Sequence, residues 1–377
     1  MTAIIWIDWY TYHIARFRAL LEHRQLCGQV SGIELVGGCG VHRGLNFRQG
    51  DRDGLPITSL LPAADWYRAG KAHLALAVWR QLQQLHASTV FVPGYYTVPA
   101  LVAALWARLH GKRSVLMSET TREDYRRIWW KERAKRLLVW MLFDYGIAGG
   151  KRHIRYLQQL GVRPDRIASF YDVVDNRFYE QSADEARATP ARRDQLGLPR
   201  DYFLYVGRLA SEKNVSGLIT EFASYVHRGG TWSLVIVGDG PERPQLEQRC
   251  AILGVAPGVQ FTGLKGAREI VPYYAFARCF VLPSLREPWG LVVNEAMASG
   301  LAVLVSERCG CAEDLVEAGR NGFLFNPTVH GDLADCMFRM STLSQAALGV
   351  MGQQSRQIIS GYSPEHWAAE VARIVQP

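Results

Sequence analysis

The sequence predicts an α/β protein built from two doubly wound, Rossmann-like domains whose strand ends face a cleft. Three observations carry that expectation. The chain has 377 residues, too many for one ordinary core and suited to two domains. Short β-branched runs alternate with longer helical patterns, as in a parallel sheet covered on both faces. That alternation occurs twice, once before residue 171 and again from residue 202 onward.

Taken in order, the first set of strand candidates is AIIWID, IELVG, TVFVP, RSVLM, YGIAG and ASFY. The opening MTAIIWIDWY carries Asp8 after a short apolar run and has no basic leader, so it reads as a first strand and not as a signal peptide. Between Gln81 and Ala107 there is no Asp, Glu, Lys or Arg, but Pro93-Gly94 and Pro99 cut the stretch into a strand, a turn and a short helix, against a membrane span. The polar stretch DVVDNRFYEQSADEARATPARRDQLGLP reads as an interdomain connection. The second set is YFLYVG, WSLVIVG, VQFTG, CFVLPS, AVLVS and GFLF. The tail GYSPEHWAAEVARIVQ reads as a helix with Ser363 as N-cap and Pro364 at its first position. The expected domains are residues 1–175 and 176–355, with 356–377 a terminal helix that either stays on the second domain or crosses back to the first.

Hydrophobic residues at 48% and charged residues at 21% exclude a disordered or fibrous chain. A formal charge of +8 points to acidic partners, among them phosphates and anionic lipid headgroups. Nucleic acid is disfavoured, because no nucleic-acid module accompanies the charge. Seven scattered cysteines without a CxxC pair fit a reducing cytosol and argue against a zinc site. Asp51-Arg52-Asp53 fits a DxD metal motif literally, but sits in FRQGDRDGLP, where a solvated turn explains it better. No metal and no cofactor are expected.

The chemistry concentrates where strands of the second set end. After CFVLPS, Glu287 and Glu295 stand eight residues apart in EPWGLVVNE. Pro288 at the first helical position would open a helix through WGLVVNEAMAS, with Gly300 stopping it, so that the carboxylates lie on the order of 12 Å apart along the axis. The free backbone N–H groups of Trp289, Gly290 and Leu291 would then face an anion at the positive end of the helix dipole. In YFLYVGRLASEKN, Arg208 and Lys213 follow another strand end, and two cations there invite a diphosphate. GDGP in WSLVIVGDGPER reads as a sharp strand-to-helix turn, not a phosphate cradle.

Together, VGRLASEKN, VIVGDGPER, FTGLKGAREIVPYYAFARCFVLPSLREPWGLVVNEAMASG and GRNGFLF resemble the retaining GT-B glycosyltransferases of family 4, the group 1 glycosyltransferases. The resemblance is close from about Tyr202 to Asn326 and general before that. It implies a GT-B fold, no metal, and a nucleotide diphosphate sugar, with UDP or GDP as nucleotide and a hexose-type sugar, as donor. By resemblance Gly207, Arg208 and Lys213 hold the donor diphosphate, Glu287 the sugar hydroxyls, Glu295 the ribose, and the loop at Gly263 and Leu264 borders the base. The family often has a glycine-rich loop after strand one and a His after a later strand. This chain has WIDWYTYHIAR and LMSETTRED there, which leaves His13 and Glu119 as candidates with structural roles as good an account.

One further segment, TREDYRRIWWKERAKRLLVWML (residues 121–142), holds seven basic residues against three acidic ones from Arg122 to Arg136. Helical spacing puts Trp130, Ala134, Leu137, Leu138 and Met141 on one face. Either that face packs into the core or residues 122–141 lie on an anionic membrane. The expected function is transfer of a sugar to a cell-surface polysaccharide, lipopolysaccharide or lipid-linked acceptor, in the cytoplasm or at the inner face of the membrane. A GT-B epimerase or phosphorylase is the alternative, and a basic nucleic-acid-binding protein a more distant one.

Overall fold

The computed structural model of the protein describes residues 1–37, 52, 54–125 and 127–376. Asp51 and Asp53 of the DRD triplet, and Arg126 of the basic segment, lie outside the described residues. The chain divides into two compact units, Met1–Val174 with Tyr362–Pro377, and Asp175–Gly361. The division falls after Gly361 and not after residue 355, because the helix Gln345–Ser360 runs through that point and buries Met351, Ser355 and Ile359 along one face.

The first unit is a seven-stranded sheet: β1 (Thr2–Trp6), β2 (Val30–Val36), β3 (Ile57–Leu61), β4 (Thr89–Pro93), β5 (Arg113–Ser118), β6 (Tyr145–Ala148) and β7 (Ile167–Ala168). Its order is β3-β2-β1-β4-β5-β6-β7, and every pairing is parallel. The period of two along β1 explains the double covering. Ala3 and Ile5 enter one core, with Leu74, Val78 and Trp106 from the helices Lys71–Gln84 and Val98–Leu109. Ile4 and Trp6 enter the other, with Phe17 and Trp367. The strand β3 was not expected from sequence. It is an edge strand, half-buried, so ITSLL carries neither a continuous apolar run nor a clean alternation.

The second unit repeats the plan with β8 (Tyr202–Val206), β9 (Ser233–Val237), β10 (Val259–Phe261), β11 (Cys279–Leu282), β12 (Ala302–Ser306) and β13 (Gly322–Phe325). The order is β10-β9-β8-β11-β12-β13, again all parallel. The polar connection is more ordered than expected, forming the helix Asn176–Arg187. Asp175 caps it by accepting from Phe178 N at 3.0 Å, and Tyr179, Ala183 and Ala186 are buried at helical spacing.

Among the described residues no helix is long and apolar enough to cross a membrane. The helix Trp129–Leu142 does not bury the face expected of it: only Val139 and Leu142 are buried, whereas Trp130 and Leu137 are each 55% exposed, Trp140 is 67% exposed and Trp129 71%. The reason lies in which residues turn inward. Glu132 receives Tyr156 Oη at 2.8 Å and Lys135 Nζ at 2.7 Å, which turns a polar stripe toward the unit and leaves the tryptophans outside.

The terminal helix Pro364–Val375 starts on the expected cap, with Ser363 accepting from His366 N. It belongs to the first unit, where Trp367 is fully buried and Arg113 Nη1 donates to the carbonyls of Ile374 and Val375, each at 2.9 Å. Truncating Trp367 to Ala is expected to destabilise the first unit by about 3–5 kcal/mol, measured by urea unfolding. A loss near zero would show that the helix contributes no core.

Candidate active site

In the second unit β8 and β11 are neighbours, paired Phe203 to Cys279 and Leu204 to Phe280. From β8 the chain winds to β9 and β10 on one side, and from β11 to β12 and β13 on the other. This reversal of strand order is the place where an open parallel sheet parts its loops at the carboxyl ends and binds ligands. Arg208 and Lys213 follow β8, and Glu287 follows β11, so the two loops meet there.

They meet in an ion pair. Lys213 Nζ donates to Glu287 Oε2, with side chains only 21% and 10% exposed. Ser284 Oγ donates to the same carboxylate oxygen at 3.3 Å. The loops are also laced through the backbone, since Leu285 N donates to Glu212 O at 2.9 Å and Asn214 Nδ2 to Pro283 O at 3.2 Å. Asn214 takes a left-handed conformation at φ 57°, which ends the 3-10 turn Ser211–Lys213 and starts the helix Val215–His227. Arg208, half exposed, pairs with Glu212. Burial raises the Glu212 carboxyl, but its own backbone N–H and Arg208 outweigh that and hold it below the usual range.

The helix that follows β11 begins later than expected. It spans Leu291–Ala298, with Gly290 as N-cap at φ 107°, and Pro288 lies outside it. Residues 287–289 instead run beside 309–311, Gly310 N donating to Glu287 O at 2.9 Å and Cys311 N to Trp289 O at 3.2 Å. The straight-helix spacing between the carboxylates therefore does not apply. Gly290 is required, because its left-handed φ strains any other residue and a Cβ there would stand 2.9 Å from Leu282 Cδ2. Trp289 is buried and donates its indole N–H to Asn294 Oδ1 at 2.9 Å, so its ring serves packing. Leu291 is the first helical residue. Glu295, 3% exposed, accepts from Tyr274 Oη at 2.6 Å.

The turn after β9 is more than an architectural marker. Gly238 N donates to Gly263 O at 2.9 Å, and a Cβ on Gly238 would lie 1.9 Å from Gly207 O. Glycine there brings Gly207, Gly238 and Gly263 backbones together at the strand ends, with Leu264 exposed beside them. Sequence reasoning missed Asn214, Glu212, Ser284 and Tyr274. For Asn214 a signal existed, since Asn before an apolar run tolerates the left-handed turn. For Tyr274, within VPYYAF, none did, because only the fold brings it to Glu295.

The two N-terminal candidates lie in the first unit. His13 stacks on Trp6 with ring centroids 4.5 Å apart and accepts from Tyr10 N at 3.3 Å, which ties it to the start of the helix Thr11–Glu22. Glu119 follows β5 and hydrogen-bonds Asp172, which is fully buried. Burial, then the charge of Glu119, push the Asp172 carboxyl well above its usual range, with Arg16 opposing from 3.9 Å. The fold thus favours neutral Asp172. Its contribution is present below the unfolded pKa of about 3.9 and is lost as pH rises through the higher folded value. In Asp172→Asn that loss is absent, so the difference in Tm, variant minus wild type, is expected to grow from about pH 4 to pH 8. A difference constant with pH would mean that Asp172 is ionised in the folded protein.

Residues 189–347 match the family model of glycosyl transferases group 1. Sulfoquinovosyl transferase SQD2 of Arabidopsis thaliana is 34% identical over 176 residues, 45% of this chain and 32% of that protein. Alpha-D-kanosaminyltransferase of Streptomyces kanamyceticus is 30% identical over 177 residues, 47% of this chain and 45% of that protein. The chain thus matches less than half the length of these relatives. The crystal structure of Anabaena Alr3699/HepE in complex with UDP has the same fold, with a TM-score of 0.74, 20% identity, and 99% of this chain and 98% of that one covered. Most of the second unit thus resembles the group 1 glycosyl transferases, within a chain of GT-B fold.

Proposed function

We propose that this chain is a retaining, metal-independent glycosyltransferase that moves a hexose-type sugar from a UDP- or GDP-linked donor to a cell-surface polysaccharide, lipopolysaccharide or lipid-linked acceptor. The Lys213–Glu287 pair at the junction of β8 and β11 carries the reading. Departure of a nucleoside diphosphate develops charge on its leaving oxygens, and a fixed ammonium and guanidinium stabilise that charge more in the transition state than before it. Lys213 and Arg208 would supply both, each exchanging a carboxylate partner for phosphate. Glu287, released from Lys213 and still steadied by Ser284, would accept the sugar hydroxyls. Glu295 would accept the ribose hydroxyls, aimed by Tyr274. The same-face attack that retains configuration would leave the acceptor proton to the departing diphosphate, with no cofactor.

The names of the relatives support sugar transfer, and the UDP bound to Alr3699/HepE supports a nucleotide donor. UDP and GDP are therefore expected to raise the Tm unequally and without Mg²⁺, naming the base. Glu287→Gln is expected to keep that shift and lose at least about a hundredfold in transfer, while Lys213→Ala loses both. Wild-type turnover by either variant would refute its assignment. Donor turnover without any acceptor-linked product would favour an epimerase or phosphorylase.

The acceptor side points to a membrane surface. Exposed Trp129, Trp130 and Trp140 stand among Lys131, Arg133 and Arg136 on one helix, apolar rings with cations to meet anionic headgroups. Placement at the inner face of the membrane fits a lipid-linked acceptor. Replacing Trp129 and Trp140 by Ser is expected to reduce co-sedimentation with phosphatidylglycerol vesicles by on the order of tenfold or more, without a change in Tm. Unchanged sedimentation would remove the membrane from the proposal.

A further inference from the structure

At the amino ends of the second unit's strands, remote from Lys213 and Glu287, lies a cavity of about 480 Å³. Among the described residues five arginines line it, Arg187, Arg193, Arg200, Arg278 and Arg356, and no acidic residue does. Arg200 precedes β8 and Arg278 precedes β11, whereas the candidate donor residues follow those strands. The strand length alone separates the two ends by roughly 13–16 Å.

Four carboxylates outside the lining pair with four of these arginines: Asp184, Glu180 beside Arg356 at 3.6 Å, Asp194 beside Arg193 at 3.5 Å, and Asp201. Arg187 Nη1 and Arg356 Nη2 both donate to Asp184 Oδ1, at 2.8 and 2.7 Å. Arg278 takes Asp201 at 2.6 Å. Burial, then the neighbouring charge of Arg356, lower the Arg187 guanidinium below its ordinary value, with Asp184 opposing. The rest of the wall mixes apolar Phe276, Leu301 and Leu348 with the amides of Gln345 and Gln353. Gly349 faces open space, where a Cβ would meet nothing within 4 Å. A cation-lined cavity of this volume with an apolar side has the chemistry of a site for a small organic phosphate.

The cavity is linked through the chain to Glu295, a candidate donor residue. Arg187 Nε donates to Ala275 O at 2.9 Å, and the preceding residue, Tyr274, donates to the Glu295 carboxylate at 2.6 Å. An occupant that draws Arg187 inward would pull on the segment that aims Glu295.

We propose that this cavity is a second ligand site of the chain, one that takes a small soluble phosphate ester and stands apart from the donor site. It does not rest on the glycosyl-transfer reading. The test is calorimetric titration of the full chain with glucose 6-phosphate and with inorganic pyrophosphate. Arg193→Gln/Arg200→Gln removes two outlying cations, and Gly349→Leu fills the open space from a helix interior, where Leu is a better former than Gly. Lys213→Ala controls for the donor site. Saturable glucose 6-phosphate binding that persists in Lys213→Ala and falls at least tenfold in the other two variants is the expected result. Absence of binding, binding unchanged in both cavity variants, or loss only in Lys213→Ala would overturn it. Phosphatidylglycerol vesicle binding that depends on Arg193 and Arg200, without soluble binding, would overturn it in favour of a lipid headgroup.

Discussion

The parallel pairing of β8 with β11 is the constraint on which the rest of the second unit depends. Parallel strands end on one side, so two loops far apart in sequence must come out together. Lys213 and Glu287, separated by 74 residues, meet for that reason and no other. Their pair is not a device for stability, since withdrawing two charges from water offsets most of what their attraction returns. On the proposed reading it is a held charge, in which each partner keeps the other in place until a ligand offers more. Glycine makes the arrangement feasible. At Gly207, Gly238 and Gly290 the backbone comes so close, or turns so far, that a side chain would push the strand ends apart.

The same geometry gives the sheet a second end. The amino ends of β8, β11 and β12 gather arginines as the carboxyl ends gather the acid–cation pair, and the segment containing Tyr274 and Ala275 lies between the two. The first unit uses its surface differently. Glu132 is turned inward by Tyr156 and Lys135, and this leaves Trp129, Trp130 and Trp140 in solvent on a basic helix. Fully buried Trp367 completes the opposite face of the sheet from the far end of the chain.

The sequence by itself determined what repeats or punctuates. Apolar runs bounded by turns gave twelve of the thirteen strands, and Ser363-Pro364 gave the start of the last helix. The residue types at strand ends gave Arg208, Lys213, Glu287 and Glu295 as the candidate chemistry, because cations and carboxylates after apolar runs are visible without a fold. Tertiary structure decided the rest. The half-buried edge strand β3 has no pattern of its own, since only one neighbour covers it. The start of the helix moved from Pro288 to Leu291 because residues 309–311 claim the carbonyls of Glu287 and Trp289. The tryptophan face turned outward because Glu132 found a partner, and Tyr274, Asp172 and the five arginines met their neighbours only through packing. Each of these depends on a contact distant in the chain, which local periodicity does not encode.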